Sequence, residues 1–293
     1  MSLAECVITA NQLNETVKGK TIAKIIANQN PHTFVWFALE PEYAFCDSYN
    51  SSKFAEQYGR YLTGETIKGA AAVLGGYSAY TFMYVGDRAL MFHVLTTLYH
   101  KAGAKRPKRH QLLLEFDDGT ALSFCGSLGG PLFLFEVDEN GRAVNYASNF
   151  PSILSDDFSL GFFMNLIRNT PFRSMSAKEF LATKNRIPGL DNSILHEILW
   201  ETEINPKTKM TSLNESDFVR IYNSIKKVFP AVIVGGGKDT DKDLYGNLGG
   251  YTTHVSKNTL GKPCDRCGGI VTKEAFLGGA VYYCPQCQPY IKI

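Results

Sequence analysis

Residues 264–287 read CDRCGGIVTKEAFLGGAVYYCPQC, and this stretch decides how the end of the chain folds. It holds two Cys-x-x-Cys turns, Cys264 with Cys267 and Cys284 with Cys287, separated by 16 residues. Two such turns can complete the tetrahedral four-sulfur shell that zinc takes in structural sites. Because four sulfurs leave no position for a substrate, we predict one structural Zn²⁺ whose binding folds the hairpin. A redox-active dithiol is the alternative for such turns.

The length and composition of the chain set the frame for the rest. A chain of 293 residues exceeds what one hydrophobic core usually organises, so two domains and a small appendage are expected. The boundaries are predicted at 1–148, 149–256 and 257–293. No apolar run approaches a membrane span, and the first 20 residues lack the pattern of a secretory signal, so we predict a cytoplasmic protein that contacts no membrane. An odd total of seven cysteines argues against a disulfide framework.

The first half of the chain is rich in short strand-like runs. After a predicted helix at 5–17 come runs such as TFVWFAL, AYTFMYV, ALMFHVL and HQLLLEF, separated by turn signals that include DDG at 117–119. Many short strands joined by hairpin turns predict an antiparallel β-sandwich or barrel. For the N-terminal domain we expect a sandwich with a leading helix.

The second half changes to helical periodicity. We predict helices from 157 to about 169 with Ser155 as its cap, and in the runs SAKEFLATK, NSILHEILWETE and NESDFVRIYNSIKKVF. In NRIPGLDNSILHEILWETEINP, Pro188 and Gly189 force a double turn, Asp191 can cap the next helix, and Asn192 adds amide donors. This arrangement suits a phosphate clamp, although such a junction is more often only a packing unit. The fold class is α+β with two domains, the second a helix–two-turn–helix domain carrying the zinc hairpin.

Positive charge is concentrated although the net charge is only +2. The loop KAGAKRPKRH at 101–110 carries five Lys and Arg residues, including Arg109, and no acid. The segment 255–293 has five basic residues against two acids. Such clusters favour a phosphate-backbone partner, and a solvated surface loop is the alternative.

The order of these motifs resembles the formamidopyrimidine-DNA glycosylase / endonuclease VIII family. The resemblance rests on a strand-rich domain followed by LSDDF, RIPGLDNSILHEILWETEINP, a helix and a terminal four-cysteine hairpin ending in YYCPQCQ. It is specific over 154–288 and looser across the first domain. The resemblance implies a two-domain clamp on duplex DNA that flips a damaged base out of the stack. It also implies an N-terminal proline amine that attacks the sugar and an adjacent glutamate that handles protons.

The start of this chain departs from that pattern. The family opens Met-Pro-Glu-Leu-Pro-Glu, whereas this chain opens MSLAEC, which places Met1 and Ser2 at the nucleophile and general-acid positions and Ala4 at the second proline. Glu5 matches the later glutamate and is the candidate catalytic residue, although a first-turn helix acid explains it equally well. Either MSL is a leader that displaced the native start, or the chemistry has been lost.

The resemblance also implies the DNA contacts. Asn192, Lys242 and Tyr251 fall at positions that the family uses around the phosphates of the lesion, and Arg109 could touch a phosphate. The family's phosphate-binding arginine aligns with Gly279, and its gap-filling residues align near Leu128. We therefore predict a base-excision repair protein resembling a bifunctional DNA glycosylase/AP lyase, which binds damaged double-stranded DNA as a monomer and removes an oxidised base. A catalytically inactive DNA-binding relative that keeps the clamp and zinc hairpin is the alternative.

Overall fold

We describe a computed structural model of the chain. The described residues are 2–27, 35–38, 58–75, 78–93, 96–126, 130–138, 148–172, 174–184 and 186–290. Met1 and Leu128, which the sequence analysis aligned with functional positions of the family, lie outside these ranges.

Two sheets make up most of the first half of the chain. Their strands, and those of the C-terminal hairpin, are β1 Ile22–Ala27, β2 Val35–Ala38, β3 Ile67–Gly75, β4 Ser78–Val85, β5 Arg88–Phe92, β6 Thr96–His100, β7 Leu112–Phe116, β8 Ala121–Cys125, β9 Gly130–Glu136, β10 Thr272–Phe276 and β11 Gly279–Tyr283. One sheet has the order β1-β7-β8-β6, the other β2-β9-β5-β4-β3, and β10 pairs with β11 alone.

The two large sheets enclose one apolar core. Alternating side chains of β7, such as Leu112 and Leu114, meet Met83, Leu90 and other residues of the second sheet in this core. A period of two places one face of each strand in the core. The predicted sandwich with its leading helix is thereby confirmed.

One pairing differs from the predicted antiparallel pattern. Strand β2 runs parallel to β9, with Val35 opposite Gly130, whereas the other strand pairs of both sheets are antiparallel among the described residues. A parallel pair cannot be closed by a hairpin and needs a long connection, and here 91 residues (39–129) lie between the two strands. Local turn signals could not have predicted it.

Helices form the rest of the fold. They are α1 Leu3–Thr16, α2 Leu160–Arg168, α3 Ala177–Ala182, α4 Asn192–Glu201 and α5 Glu215–Val234. The cap of α2 is Ser159, whose Oγ accepts the Phe162 amide at 3.1 Å, and not the predicted Ser155, which bonds to Ser152 O instead. Asp191 caps α4 as predicted. Helix α5 was predicted to end near Phe229 but continues to Val234. Its buried face extends beyond Pro230 because Val232 is also buried.

Helix α1 belongs to both halves of the molecule. Its first turns, with Leu3 and Cys6, pack in the core formed by α2–α5, whereas Leu13 packs in the sandwich core. This packing carries the start of the chain to the helical domain. The division at 148/149 remains a prediction.

Gly189 brings the double turn against α1. Its φ is +84°, and a Cβ there would lie 2.8 Å from Leu3 Cβ. The Gly189 carbonyl accepts the Leu3 amide at 2.8 Å. Only glycine tolerates both the backbone conformation and the close approach, so this residue fixes α1 beside α4.

The segment 235–251 is closed at its base by a second glycine contact. A Cβ on Gly249 would lie 2.1 Å from the Gly237 carbonyl group, and the Tyr251 amide donates to Gly237 O at 2.9 Å. This close approach holds Lys238 between the two ends of the segment.

Among the described residues, every helix is too short or too polar to span a membrane.

Candidate functional site

The four cysteine sulfurs of the tail meet at one point. Cys264 Sγ lies 3.7 Å from Cys287 Sγ, Cys267 Sγ lies 3.5 Å from Cys284 Sγ, and all four sulfurs lie within 4.8 Å of one another. Zinc–sulfur bonds of about 2.3 Å in a tetrahedron separate the sulfurs by roughly 3.8 Å. The four side chains therefore fit a closed four-sulfur zinc shell.

Neighbouring groups hold this shell in place. Trp200 Nε1–H donates to Cys264 Sγ at 3.4 Å, and the Gly269 amide donates to Cys267 Sγ at 3.4 Å. Such N–H donors favour the thiolate and orient the ligands. The Trp200 ring also stacks on His254 with centroids 3.8 Å apart and lies 3.9 Å from the Arg266 guanidinium. The C-terminal end of α4 is thus anchored to the metal hairpin.

The hairpin also reaches the N-terminal end of α4. Asn192 Nδ2 donates to Ala280 O at 2.8 Å, and Lys178 Nζ donates to Phe276 O at 2.5 Å. A Cβ on Gly279 would lie 3.6 Å from Lys178 Nζ. A cation and an amide donor therefore lie beside the hairpin tip, an arrangement that suits a phosphate group.

The amides at the start of α4 contribute less than the sequence predicts. Asp191 Oδ1 accepts the amides of Ser193 at 3.0 Å and Ile194 at 3.1 Å. Both amides are already bonded to the Asp191 cap, so they are not free to bind a ligand. An anion at this end of α4 would therefore be bound mainly by side chains.

A buried charge cluster lies where α1, α4 and the 235–251 segment meet. The Lys238 side chain is only 1% exposed, and its Nζ lies 2.8 Å from Asp241 Oδ2 and 3.2 Å from Glu5 Oε1. It also donates to Ser193 Oγ at 2.5 Å, and Ser193 Oγ–H donates to Asp191 Oδ1 at 2.7 Å. Burial alone would lower the pKa of Lys238, but three surrounding carboxylates outweigh it and raise that pKa. The lysine is therefore a fixed cation and not a free amine nucleophile.

Glu5 caps helix α1 and also contacts the charge cluster, and its catalytic role stays a prediction. Ser2 N–H donates to Glu5 Oε2 at 2.8 Å and Ser2 Oγ accepts the Glu5 amide at 3.3 Å, which is a capping box. The other oxygen, Oε1, faces Lys238. Burial and the nearby Asp191 charge raise the pKa of Glu5 to about 7, against the opposing effect of Lys238. A carboxyl group that exchanges its proton near neutral pH is suited to general acid–base work.

The raised pKa of Glu5 predicts a pH-dependent stability. The folded state keeps the proton of Glu5 up to about pH 7, whereas the unfolded chain releases it near 4.5. Its contribution is therefore fully present below pH 4.5 and is lost as the pH rises through about 7. Relative to Glu5→Gln, which does not titrate, the wild-type free energy of unfolding should fall by on the order of 3 kcal/mol across this window. Urea denaturation at pH 5 and pH 8 measures the difference, and a constant difference would contradict the assignment.

The structure places the predicted DNA-binding residues unequally. Asn192 and Tyr251 lie near the charge cluster, and Tyr251 O–H donates to Glu197 Oε2 of α4 at 3.2 Å. Lys242 is exposed in the same segment. Arg109 is exposed in the loop between β6 and β7, and no described contact joins its side chain to the cluster. Their roles in DNA binding stay predictions.

Sequence reasoning missed the central residue of the cluster. Lys238 follows a run of three glycines, and nothing in that pattern distinguishes a buried cation from an exposed one. Asp191 was identified only as a cap, because its approach to Lys238 joins residues 47 positions apart. No local pattern in the sequence indicates that α1 contacts the 235–251 segment, and only the tertiary structure shows it.

Known proteins resemble this chain over nearly its whole length. A family model described as a zinc finger found in FPG and IleRS matches residues 261–289. A formamidopyrimidine-DNA glycosylase of Lactobacillus johnsonii is 25% identical over 96% of this chain and 95% of its own length. One from Legionella pneumophila strain Paris is 27% identical over 80% of this chain and 83% of its own.

Solved structures show the same fold. Lactococcus lactis Fpg in complex with DNA containing an abasic site superposes with a TM-score of 0.74 and 22% identity, covering 99% of this chain and 100% of the other. A MutM structure in complex with DNA containing carbocyclic 8-oxo-G superposes with a TM-score of 0.72 and 23% identity, covering 98% of this chain and 99% of the other.

The fold combines a β-sandwich, a helical half and a hairpin with four clustered cysteines. A buried charge cluster lies where α1, α4 and the 235–251 segment meet. The four cysteines of the tail lie close enough together to hold one structural zinc ion, as predicted. The chain is similar to formamidopyrimidine-DNA glycosylases over nearly its whole length and shares the fold of the solved Fpg structures.

Proposed function

We propose that this protein is a DNA glycosylase of base-excision repair that binds damaged duplex DNA and removes an oxidised base. The observation that carries the proposal is the buried contact between Glu5 and Lys238, whose Nζ also donates to Ser193 Oγ of α4. A carboxyl group with a pKa of about 7 thus lies near the N-terminal end of α4, where Asn192 contacts the hairpin. Relatives across the chain's length are named formamidopyrimidine-DNA glycosylases, and structural neighbours are complexes with abasic or modified DNA.

The phosphate-binding surface is proposed to combine four groups. Lys178 and Asn192 lie beside the hairpin tip, and Lys178 supplies a cation near Gly279, where the resemblance implies an arginine. Exposed Lys242 and the basic loop around Arg109 add positive charge. Contacts of this kind position a duplex without reading its sequence. The protein is proposed to act as a monomer in the cytoplasm.

Glu5 is proposed to transfer the proton during base removal. A positioned acid–base group contributes typically 10²–10⁴-fold to a rate. Glu5→Gln should therefore lower the rate of base release by about that factor while leaving DNA binding intact, because glutamine preserves the capping box. Single-turnover release from a duplex carrying an oxidised guanine measures the rate.

Glu15→Gln is the matched control, because Glu15 is exposed on the same helix. It should release the base at the wild-type rate. Borohydride trapping on abasic DNA then shows whether an amine of the protein forms a Schiff base in the reaction. DNA binding without any base release would support the inactive relative, and the absence of DNA binding would contradict both functions.

A further inference from the structure

A cavity of about 210 Å³ lies between α4, β11 and the segments 238–241 and 253–257. We call it the α4–β11 cavity. Its wall includes Asn192, His196 and Glu197 from one face of α4, Lys238 from the charge cluster, and Tyr282 from the hairpin. The volume is below the roughly 300–1,000 Å³ of pockets that hold drug-sized ligands. It suits a single ring rather than a nucleotide.

Three buried side-chain atoms of this wall have no hydrogen-bond partner among the residues that the structure describes: Asn192 Oδ1, His196 Nε2 and Asp241 Oδ2. Asp241 Oδ2 lies 2.8 Å from the charged Lys238 Nζ, so the two atoms of α4 are left without any partner. The amide orientation of Asn192 is fixed because its Nδ2 donates to Ala280 O. Residues i and i+4 lie on the same face of a helix, and both Asn192 and His196 line the cavity.

His196 offers an acceptor because it is neutral. The residue is 4% exposed, and burial followed by the charge of Lys178 lowers its pKa to about 4. The nearby Ala280 carbonyl acts in the opposite direction on this pKa, which favours a proton on the ring nitrogen that faces it. Since Nε2 has no described partner, we assign that proton to Nδ1, which leaves a lone pair on Nε2.

The charged groups that line the cavity already have partners. Lys238 Nζ lies 2.8 Å from Asp241 Oδ2, and Lys257 Nζ donates to Thr240 O at 3.0 Å. The Glu197 carboxylate is already occupied, because it accepts the amides of His254 and Val255 and the hydroxyl of Tyr251. What remains unsatisfied is a pair of acceptors, and leaving buried acceptors unpaired costs stability. A neutral donor of two hydrogen bonds matches the wall.

We propose that the α4–β11 cavity binds a small neutral heterocycle that presents two adjacent N–H donors, through Asn192 Oδ1 and His196 Nε2. The site shares Asn192 with the proposed phosphate-binding surface, but ligand binding here requires no DNA and no chemical step. The matching probe is isocytosine, in which a ring N–H adjoins the exocyclic amine. Its isomer cytosine is the control, because the atom beside its exocyclic amine is an acceptor.

Isothermal titration of the zinc-loaded protein without DNA tests the proposal. Isocytosine should bind at one site per chain, and cytosine at least about tenfold more weakly, because one acceptor would face another. Equal affinities, or no isocytosine binding up to its solubility, would overturn the proposal. DNA binding is measured separately, so failure of this site leaves the proposed function untouched.

Substitution of the histidine gives an independent test. His196→Phe keeps the ring that packs edge-on against Tyr282 at 5.5 Å but removes the acceptor, so isocytosine affinity should fall at least about tenfold. His100→Phe, a matched change on β6, should bind isocytosine as the wild type does. Unchanged affinity in His196→Phe would overturn the proposal.

A measurement on the wild-type protein covers the case in which His196→Phe fails to fold. Isocytosine should shift the ¹⁵N resonance of His196 Nε2, because that atom becomes a hydrogen-bond acceptor. The His100 resonances should not move. A titration in which His196 Nε2 stays unshifted would overturn the proposal as well.

Discussion

Removal of zinc by a chelator is expected to unfold the segment 257–290 while the two larger cores stay folded. The apolar cluster around the metal is small, with Trp200, Val255, Val271 and two of the cysteines as its buried members. Such a cluster cannot offset the entropy of ordering the hairpin, and zinc binding contributes about 10–16 kcal/mol in zinc-finger peptides. Hydrogen exchange should show protection lost across 257–290 and retained in β4, β5 and α5.

Loss of the hairpin should also weaken DNA binding. The hairpin fixes Asn192 through Ala280 O and Lys178 through Phe276 O. Without it, both donors become mobile, and we expect duplex affinity to fall at least tenfold by fluorescence anisotropy. Re-addition of zinc should restore it.

Cysteine variants provide the control for metal removal. Cys284→Ser removes one ligand and should reproduce the effect of the chelator. Cys125→Ser changes a half-buried thiol of β8, outside the cluster, and should leave zinc content and exchange unchanged. A zinc-free protein that keeps full protection across 257–290 would contradict the structural role of the metal.

Replacement of Lys238 is expected to produce the largest loss of stability among single changes in the charge cluster. Lys238→Met leaves three carboxylates, those of Glu5, Asp191 and Asp241, without the buried cation beside them. Breaking a buried ion pair by removing one partner costs about 3–5 kcal/mol. Urea denaturation at pH 8, where Glu5 is ionised, should show a decrease of that size.

Two further variants separate charge from packing. Lys227→Met removes the partner of Glu201, but its side chain is 68% exposed, so the change in stability should stay below about 1 kcal/mol. Adding Glu5→Gln to Lys238→Met should recover part of the loss, because it removes one of the unpaired charges. Equal losses in Lys238→Met and Lys227→Met would mean that the buried ion pairs contribute little.

Local patterns predicted the elements well where the signal lies within a few residues. The Asp191 cap, the double turn at Pro188 and Gly189, and the four-cysteine hairpin all stand where the sequence places them. The predicted cap of α2 was wrong by four residues: the helix begins after Ser159, whereas Ser155 is followed by Asp156 and Asp157 and bonds to Ser152 O. The parallel pairing of β2 with β9 carries no local signal at all.

The sequence alone determined the zinc shell, the fold class and the family resemblance, because thiolate spacing, strand period and turn residues act over short distances along the chain. The tertiary structure alone decided that Lys238 is buried between Glu5 and Asp241. It also decided that Asn192 and His196 line one cavity with atoms that lack a hydrogen-bond partner. The physical reason is that charge and hydrogen-bond capacity belong to a residue, whereas burial and partners depend on which distant segments meet. In this chain two close contacts bring the segments together, Gly189 against Leu3 and Gly249 against Gly237. A methyl group on either Gly189 or Gly249 would collide with its partner and keep the segments apart.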